Sequence, residues 1–444
     1  MKTKLIALVC LLASVAAAQT GSYSGLGVLS QGAGAGTIGA HSGEQLDLRF
    51  FASVDGVYDT GIQPFSLDAN GKLAQVNGLI GEEAVLGAYG VHSWRRAKLG
   101  LDYRGTYRHY QGSTFFDGSD QALQLGYSYQ PTRKFSIDMR AVAGTSSFGL
   151  SGPATNYTST GDGTVVTQPT LLLFDNRTYY LESGVDGSIL PTSRITITVG
   201  GSGYFIDHQA KGLINVEGYT LHGSLMYRLN RDTSIGPEYM HQHYEYPGNF
   251  GQSNINVYTG RINRDFGRRW SASLSGGMFS AQVQGLQTVS FDPVIAALLG
   301  VSSGTQAFYI NRYFPAGDAR LVRKFRSAQL SLAFALGATP GNGVYLTSRQ
   351  DSGSGSFSYT GVRKWSFSVG GNYAKLTTIG QGLAPYTQKT GSVGATYEIF
   401  RDLHATARFD GRDQTISVNG YVRASYRASV GLSFSPGTIP LSLW

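Results

Sequence analysis

The chain has 444 residues with Gly 60, Tyr 27 and Phe 22, yet only 14% of its residues are charged, and its formal net charge is +8. Abundant Gly and aromatics with little Lys and Glu favour strands over helices, and no exported stretch approaches the ~18–20 apolar residues that a membrane helix needs. The basic balance alone would allow nucleic acid as a partner, but the export signal removes that class.

Lys2 and Lys4 precede an apolar run from Leu5 to Val15, followed by Ala16, Ala17, Ala18 and Gln19. This is the pattern of a secretory leader with an A-x-A cleavage site, so residues 1–18 are read as a signal peptide. The single cysteine, Cys10, lies inside that leader. The exported chain therefore carries no thiol, disulfide or cysteine-held metal. Residues 19–44 are rich in Gly, Ala and Ser without a period, and are read as a flexible periplasmic segment. Residues 45–444 are read as one transmembrane β-barrel.

From Gln45 the chain becomes a series of hairpins. Leu46, Leu48, Phe50, Ala52 and Val54 alternate with Asp47, Arg49, Ser53 and Asp55. Val85–Ser93 is a second, less clean strand before a turn at Trp94–Arg96. Ala97, Leu99, Leu101 and Tyr103 then alternate with Lys98, Asp102 and Arg104. Further turns fall at Pro131–Lys134, Pro191–Ser193, Asn230–Thr233, Arg264–Arg269, Arg323–Arg326, Arg363–Lys364 and Phe400–Asp402. The weakest strand signals are Ile255–Ile262, Arg312–Phe325 and Phe357–Val362. The longest alternation runs from Ile416 to Phe434, with Val422, Ala424, Tyr426, Val430 and Leu432 on one face and Arg423, Ser425, Arg427 and Ser433 on the other. A side-chain period of two held this long indicates one apolar and one wet face.

The expected fold is all-β, an antiparallel transmembrane barrel of about 18 strands (16–18), with eight short turns on one side and nine longer connections on the other. The longer loops are placed near 59–81, 145–178, 281–311 and 339–355, as exposed segments rich in Gly, Ser, Asn and Pro. Trp94, Trp270 and Trp365 sit at or beside short turns and Trp444 ends the chain, so all four are candidates for a membrane-interface aromatic ring. The turns also carry Arg and Lys, which reads either as anchoring to lipid headgroups or as ordinary solvated turns.

The inferred inward faces carry Arg49, Lys98, Asp102, Arg104, Arg108, Asp138, Arg140, Glu182, Arg408, Asp410, Arg423 and Arg427. These are the candidate lumen-lining residues. Their signs are mixed, unlike the single-sign ring of a strongly ion-selective filter. Arg408, Arg423 and Arg427 are one candidate patch for anionic solutes, with Asp410 placed to neutralise it. His241 and His243 share a face that points to lipid or the rim, and no hydrolase, zinc or cofactor motif is present. No enzyme activity, cofactor or metal is expected. Two apolar runs, Leu171–Phe174 and Asp292–Leu299, lie in the long loops. They either fold inward to narrow a pore or pack as an outer cap.

Gly25–Ser30, Gly431–Gly437 and the ending Ile439–Trp444 resemble the porin-like outer-membrane barrels of soil bacteria, acidobacterial in type. The resemblance implies residence in the outer membrane, contact with its lipids, and insertion by the barrel-assembly machinery with the last strand as the signal. It implies no substrate. The expected function is a porin-like channel for passive, weakly selective diffusion of small hydrophilic solutes. A polysaccharide-export channel and a structural or adhesive barrel with a blocked lumen are the alternatives, and a homotrimer is left open.

Overall fold

The computed structural model describes residues 46–61, 78–112, 117–146, 159–160, 164–165, 177–209, 213–248, 251–267, 269–290, 292, 302–341, 343–400, 402–416, 421–434 and 438–439. The leader, the segment 19–44, Gly25–Ser30, Leu171–Phe174, Pro293–Leu299 and Trp444 lie outside the described residues.

Eighteen strands form the wall. The first six are β1 (Leu46–Asp59), β2 (Leu79–Ser93), β3 (Ala97–Tyr110), β4 (Gly118–Thr132), β5 (Phe135–Ser146) and β6 (Thr178–Ile189). Next come β7 (Ile195–His208), β8 (Val216–Arg228), β9 (Thr233–Glu245), β10 (Gly251–Phe266), β11 (Trp270–Ser290) and β12 (Ser303–Lys324). The last are β13 (Ala328–Thr339), β14 (Ser348–Tyr359), β15 (Trp365–Thr378), β16 (Tyr386–Phe400), β17 (Leu403–Ile416) and β18 (Tyr421–Phe434). Each pairs antiparallel with the next. The wall closes where β18 pairs with β1, from Ala52↔Phe434 to Asp59↔Arg427. Closure leaves the hydrogen-bonding groups of the wall no lipid-exposed edge. A two-residue strand, Thr438–Ile439, adds to the start of β1.

Following paired residues once around the wall returns to β1 about 22 residues further along, which is the shear of the barrel. With a strand spacing of ~4.8 Å and a rise of ~3.3 Å per residue, that shear over eighteen strands sets a tilt of about 40° and a backbone radius of about 18 Å.

The outward residues are apolar and exposed, among them Val54, Leu86, Val199, Leu274, Val369 and Val430. On β8, β15 and β18 two outward aromatic rings bracket this band: Tyr219 and Tyr227, Tyr373 and Trp365, Tyr426 and Phe434. Eight residues of tilted strand rise about 20 Å, and the reach of the rings brings this close to the ~25 Å apolar band of outer-membrane barrels. Trp94 is 45% exposed and Trp365 40% exposed, both at short turns. Trp365 packs on Phe367 and Tyr397, and Arg323 stacks over Trp270. The three described tryptophans thus lie at or beside short turns.

Eight turns of two to five residues alternate with nine other connections, and all eight fall where the sequence places them; two of the nine expected longer connections, 246–250 and 417–420, are as short as the turns. Three expectations need correction. The alternation Ile416–Phe434 is not one strand, because β17 ends at Ile416 and β18 starts at Tyr421, paired to each other. Most of the expected loop 281–311 is strand. β11 and β12 pair up to Ser290↔Ser303, whereas β13 pairs with β12 only from Gly317 downward. This hairpin therefore stands about 20 Å above the neighbouring rim, with Tyr309 and Tyr313 exposed. Finally, the expected exposed loop 339–355 reduces to residues 340–347, of which the described ones, 340–341 and 343–347, turn inward.

Candidate functional site

The site is the lumen, built from the inward side chains of all eighteen strands. At mid-height it carries three groups of ion pairs. On β5, β6 and β8, Arg140 lies 3.1 Å from Asp186 and 3.8 Å from Glu182, and His222 lies 2.8 Å from Asp186. On β9, β10 and β12, Arg261 lies 2.7 Å from Glu238 and 3.0 Å from Asp318, and Ser275 bonds the same Asp318 carboxylate. At the closing seam, Arg108 pairs with Asp120, Arg408 with Asp410, and Arg427 with Glu83 across the intervening β1. Charges this buried persist only when paired and hydrogen-bonded. Pairing across strands also ties the wall together laterally.

Above this belt the lumen has two unlike sides. On β6 to β12 the inward residues near the outer end are apolar: Tyr180, Tyr204, Ile206, Tyr244, Ile255 and Phe279 are among the buried cluster. On β16 to β18 and β1 the same level carries Gln388, Arg412, Arg423 and Asp59. One half of the outer lumen is therefore apolar and the other polar.

Residues 340–347 lie between these sides. Tyr246, just past β9, donates its hydroxyl to the Pro340 carbonyl at 3.1 Å and lies 2.6 Å from the Thr347 hydroxyl, which also meets Ser253. The Gly343 carbonyl accepts the Ile214 amide at 3.0 Å. From the other end the Tyr345 hydroxyl donates to the Ala384 carbonyl at 2.9 Å, and the Tyr345 ring packs on Tyr386. Gly341 and Gly343 have φ of 94° and 88°, a left-handed backbone that favours glycine. The connection thus crosses the inside of the outer mouth, from the β9–β10 wall to the β15–β16 connection, and narrows it. The sequence reading treats it as an exposed loop. Its inward course rests on long-range partners such as Tyr246 and Gln381 that no local period reveals.

The candidate lumen residues take the inward face wherever their side chains are described. Arg108, Asp410, Arg423 and Arg427 are buried, while Asp102, Arg104, Asp138, Arg140 and Arg408 are half-buried. Glu182 is buried beside Arg140. Lys98 is exposed at the short-turn end. Arg49 lies on β1 opposite Tyr89, and its side chain is outside the described ones. The expected patch of Arg408, Arg423 and Arg427 is largely neutralised by Asp410 and Glu83. Glu83, Asp120, Arg261, Asp318 and Arg412 were not among the sequence candidates. Each lies on a stretch of strand that the period marks weakly. His241 and His243 face outward, where Asn256 and Asn254 bond them at 2.9 and 2.7 Å. The period places their shared face toward lipid or the rim, and both do lie on the outward face.

No protein-family model matches the chain, and no curated protein matches it. Solved structures do. The BenF-like porin of Pseudomonas fluorescens Pf-5 shares 9% identity, with 88% of this chain and 99% of that chain covered and a TM-score of 0.42. OccAB4 of Acinetobacter baumannii shares 10% identity over 88% and 99%, with a TM-score of 0.41. OccK2 (OpdF) of Pseudomonas aeruginosa, solved in complex with glucuronate, shares 10% identity over 88% and 98%, with a TM-score of 0.40.

Proposed function

We propose that this protein is an outer-membrane channel, not an enzyme, through which small hydrophilic solutes diffuse passively and with weak selectivity. The observation that carries the reading is the combination of a closed wall of about 18 Å radius with an inward face of paired charges of both signs. Mixed pairs make a polar path without a strong single-sign barrier. The inward residues 340–347 narrow that path and do the work of a size filter. In this reading the aromatic rings and turn-side arginines contact membrane lipid, and the barrel-assembly machinery inserts the chain. The mixed signs disfavour polysaccharide export, which calls for a lumen dominated by one charge.

The test is single-channel recording of the refolded protein in a planar bilayer with symmetric salt. Stable ohmic steps are expected. Silence from a correctly folded, heat-modifiable barrel would overturn the channel reading and favour a structural barrel with a blocked lumen.

A further inference from the structure

The strongest unexplained group in the lumen is Arg412 on β17. It is 6% exposed, and its Nε and Nη1 are buried and meet no hydrogen-bond partner among the described residues. A buried guanidinium without a partner is too costly to persist unless something from solution compensates it. Its surroundings say what kind of group that is. Arg412 stands in register with Thr390 on β16 and Ser425 on β18, which places Gln388 and Arg423 diagonally beside it on the same inward face. The Gln388 carbonyl oxygen, also buried, likewise meets no donor among the described residues. Two carboxylates act on Arg412 from nearby, Asp59 and Asp410. Neither is Arg412's alone: Asp410 is held by Arg408, and Asp59, which accepts the Gly61 amide at 2.6 Å, stands in register with Arg427 and shares its charge with it. On the far side Tyr386 meets Tyr345 of the inward connection, which closes the site toward the outer mouth.

We propose that Arg412, Arg423 and Gln388 form a binding subsite for a phosphate-type oxyanion on the polar side of the outer lumen. A guanidinium presents its N–H groups to two oxygens of such an anion in a planar fork. Water could satisfy those donors but could not neutralise the charge. The free Gln388 carbonyl asks for a donor, which protonated phosphate oxygens supply and sulfate at neutral pH does not. The subsite gives a weakly selective lumen a local foothold for one class of anion. It deepens the channel reading by naming a solute class. Binding to the detergent-folded barrel is read whether or not the pore conducts, so a silent bilayer with phosphate bound would fail the channel reading alone.

The experiment is calorimetric titration of the refolded full barrel with inorganic phosphate, glycerol phosphate and sulfate at equal ionic strength. Phosphate is expected to bind more tightly than sulfate. Arg412→Gln is expected to weaken phosphate about tenfold or more, the usual scale for a charge-assisted hydrogen bond. Gln388→Leu should reduce the preference for phosphate over sulfate. If Arg412→Gln does not fold, Arg412→Lys and Gln388→Leu carry the test, with Arg349→Gln on the outward face as the unchanged control. Binding of either phosphate compound supports the site, and the tighter one identifies the source. Absence of phosphate binding to the wild-type barrel, or equal affinity in the wild type and the Arg412 variants, would overturn the proposal.

Discussion

Replacing Arg261 by leucine tests whether the mid-lumen belt is a dry structural element or a hydrated one. The Arg261 side chain is 4% exposed and that of Asp318 8% exposed, while Glu238 is half-buried at 24%. Removing the guanidinium leaves two carboxylates facing each other, with Ser275 and Ser273 too weak to neutralise them. Breaking a buried pair by removing one partner costs about 3–5 kcal/mol, a large share of the ~5–15 kcal/mol that holds a typical domain. With a urea slope of about 1–3 kcal/mol per molar, the unfolding midpoint should fall by roughly 1–5 M. The assay is urea unfolding in phospholipid vesicles, followed by tryptophan fluorescence and by heat-modifiable migration. A triple variant with Arg261, Glu238 and Asp318 all changed to leucine should recover most of the loss, because an apolar replacement of a whole buried cluster is often neutral. A single-variant loss below ~1 kcal/mol would refute the argument, since exposed pairs contribute no more than that. It would mean that water reaches the carboxylates at this level.

Tyr246→Phe removes the hydroxyl that holds Pro340 and Thr347. The loosened connection should raise single-channel conductance, and an unchanged conductance would show that residues 340–347 are held by other contacts. Gly341→Ala should do the same more strongly, because its φ of 94° disfavours a side chain and the new methyl would overlap the Tyr345 carbonyl; native-like conductance would count against this. Arg427→Met strands Glu83 beside the closing strand, so the variant should lose heat-modifiable migration at a lower temperature than wild type. Asp117, in the connection after β3, accepts the Tyr110 amide at 2.9 Å and then His109, and these hold its carboxyl below the usual range. The stabilisation of that connection should therefore be present at neutral pH and disappear as pH falls through the lowered value; a carbon-13 titration midpoint in the ordinary aspartate range would contradict it.

The eight short turns were legible because each concentrates Pro, Asn, Arg or Trp between alternating runs, a local signal. The lipid face of β18 was equally legible from Val422 to Phe434. What escaped depends on partners distant in sequence. The four residues 417–420 continue the alternation of their neighbours, so the hairpin between β17 and β18 is invisible to a period count. β11 and β12 pass beyond the apolar band, where no lipid enforces the contrast between faces, so their outer halves read as loop. Arg412 and Glu83 lay past the expected strand ends. Their pairing, or lack of it, depends on register with β16, β18 and β1. The inward turn of residues 340–347 depends on Tyr246, almost a hundred positions away.

Strand number and shear are integers, so the girth of this barrel changes only in discrete steps. Substituting a residue, or lengthening an outer connection, leaves the backbone ring as it is. Divergence among barrels with this pair of integers would then be confined to what the ring contains: which inward charges find partners, and how far residues 340–347 reach across. Such a family could change its cargo quickly while its skeleton stayed the same.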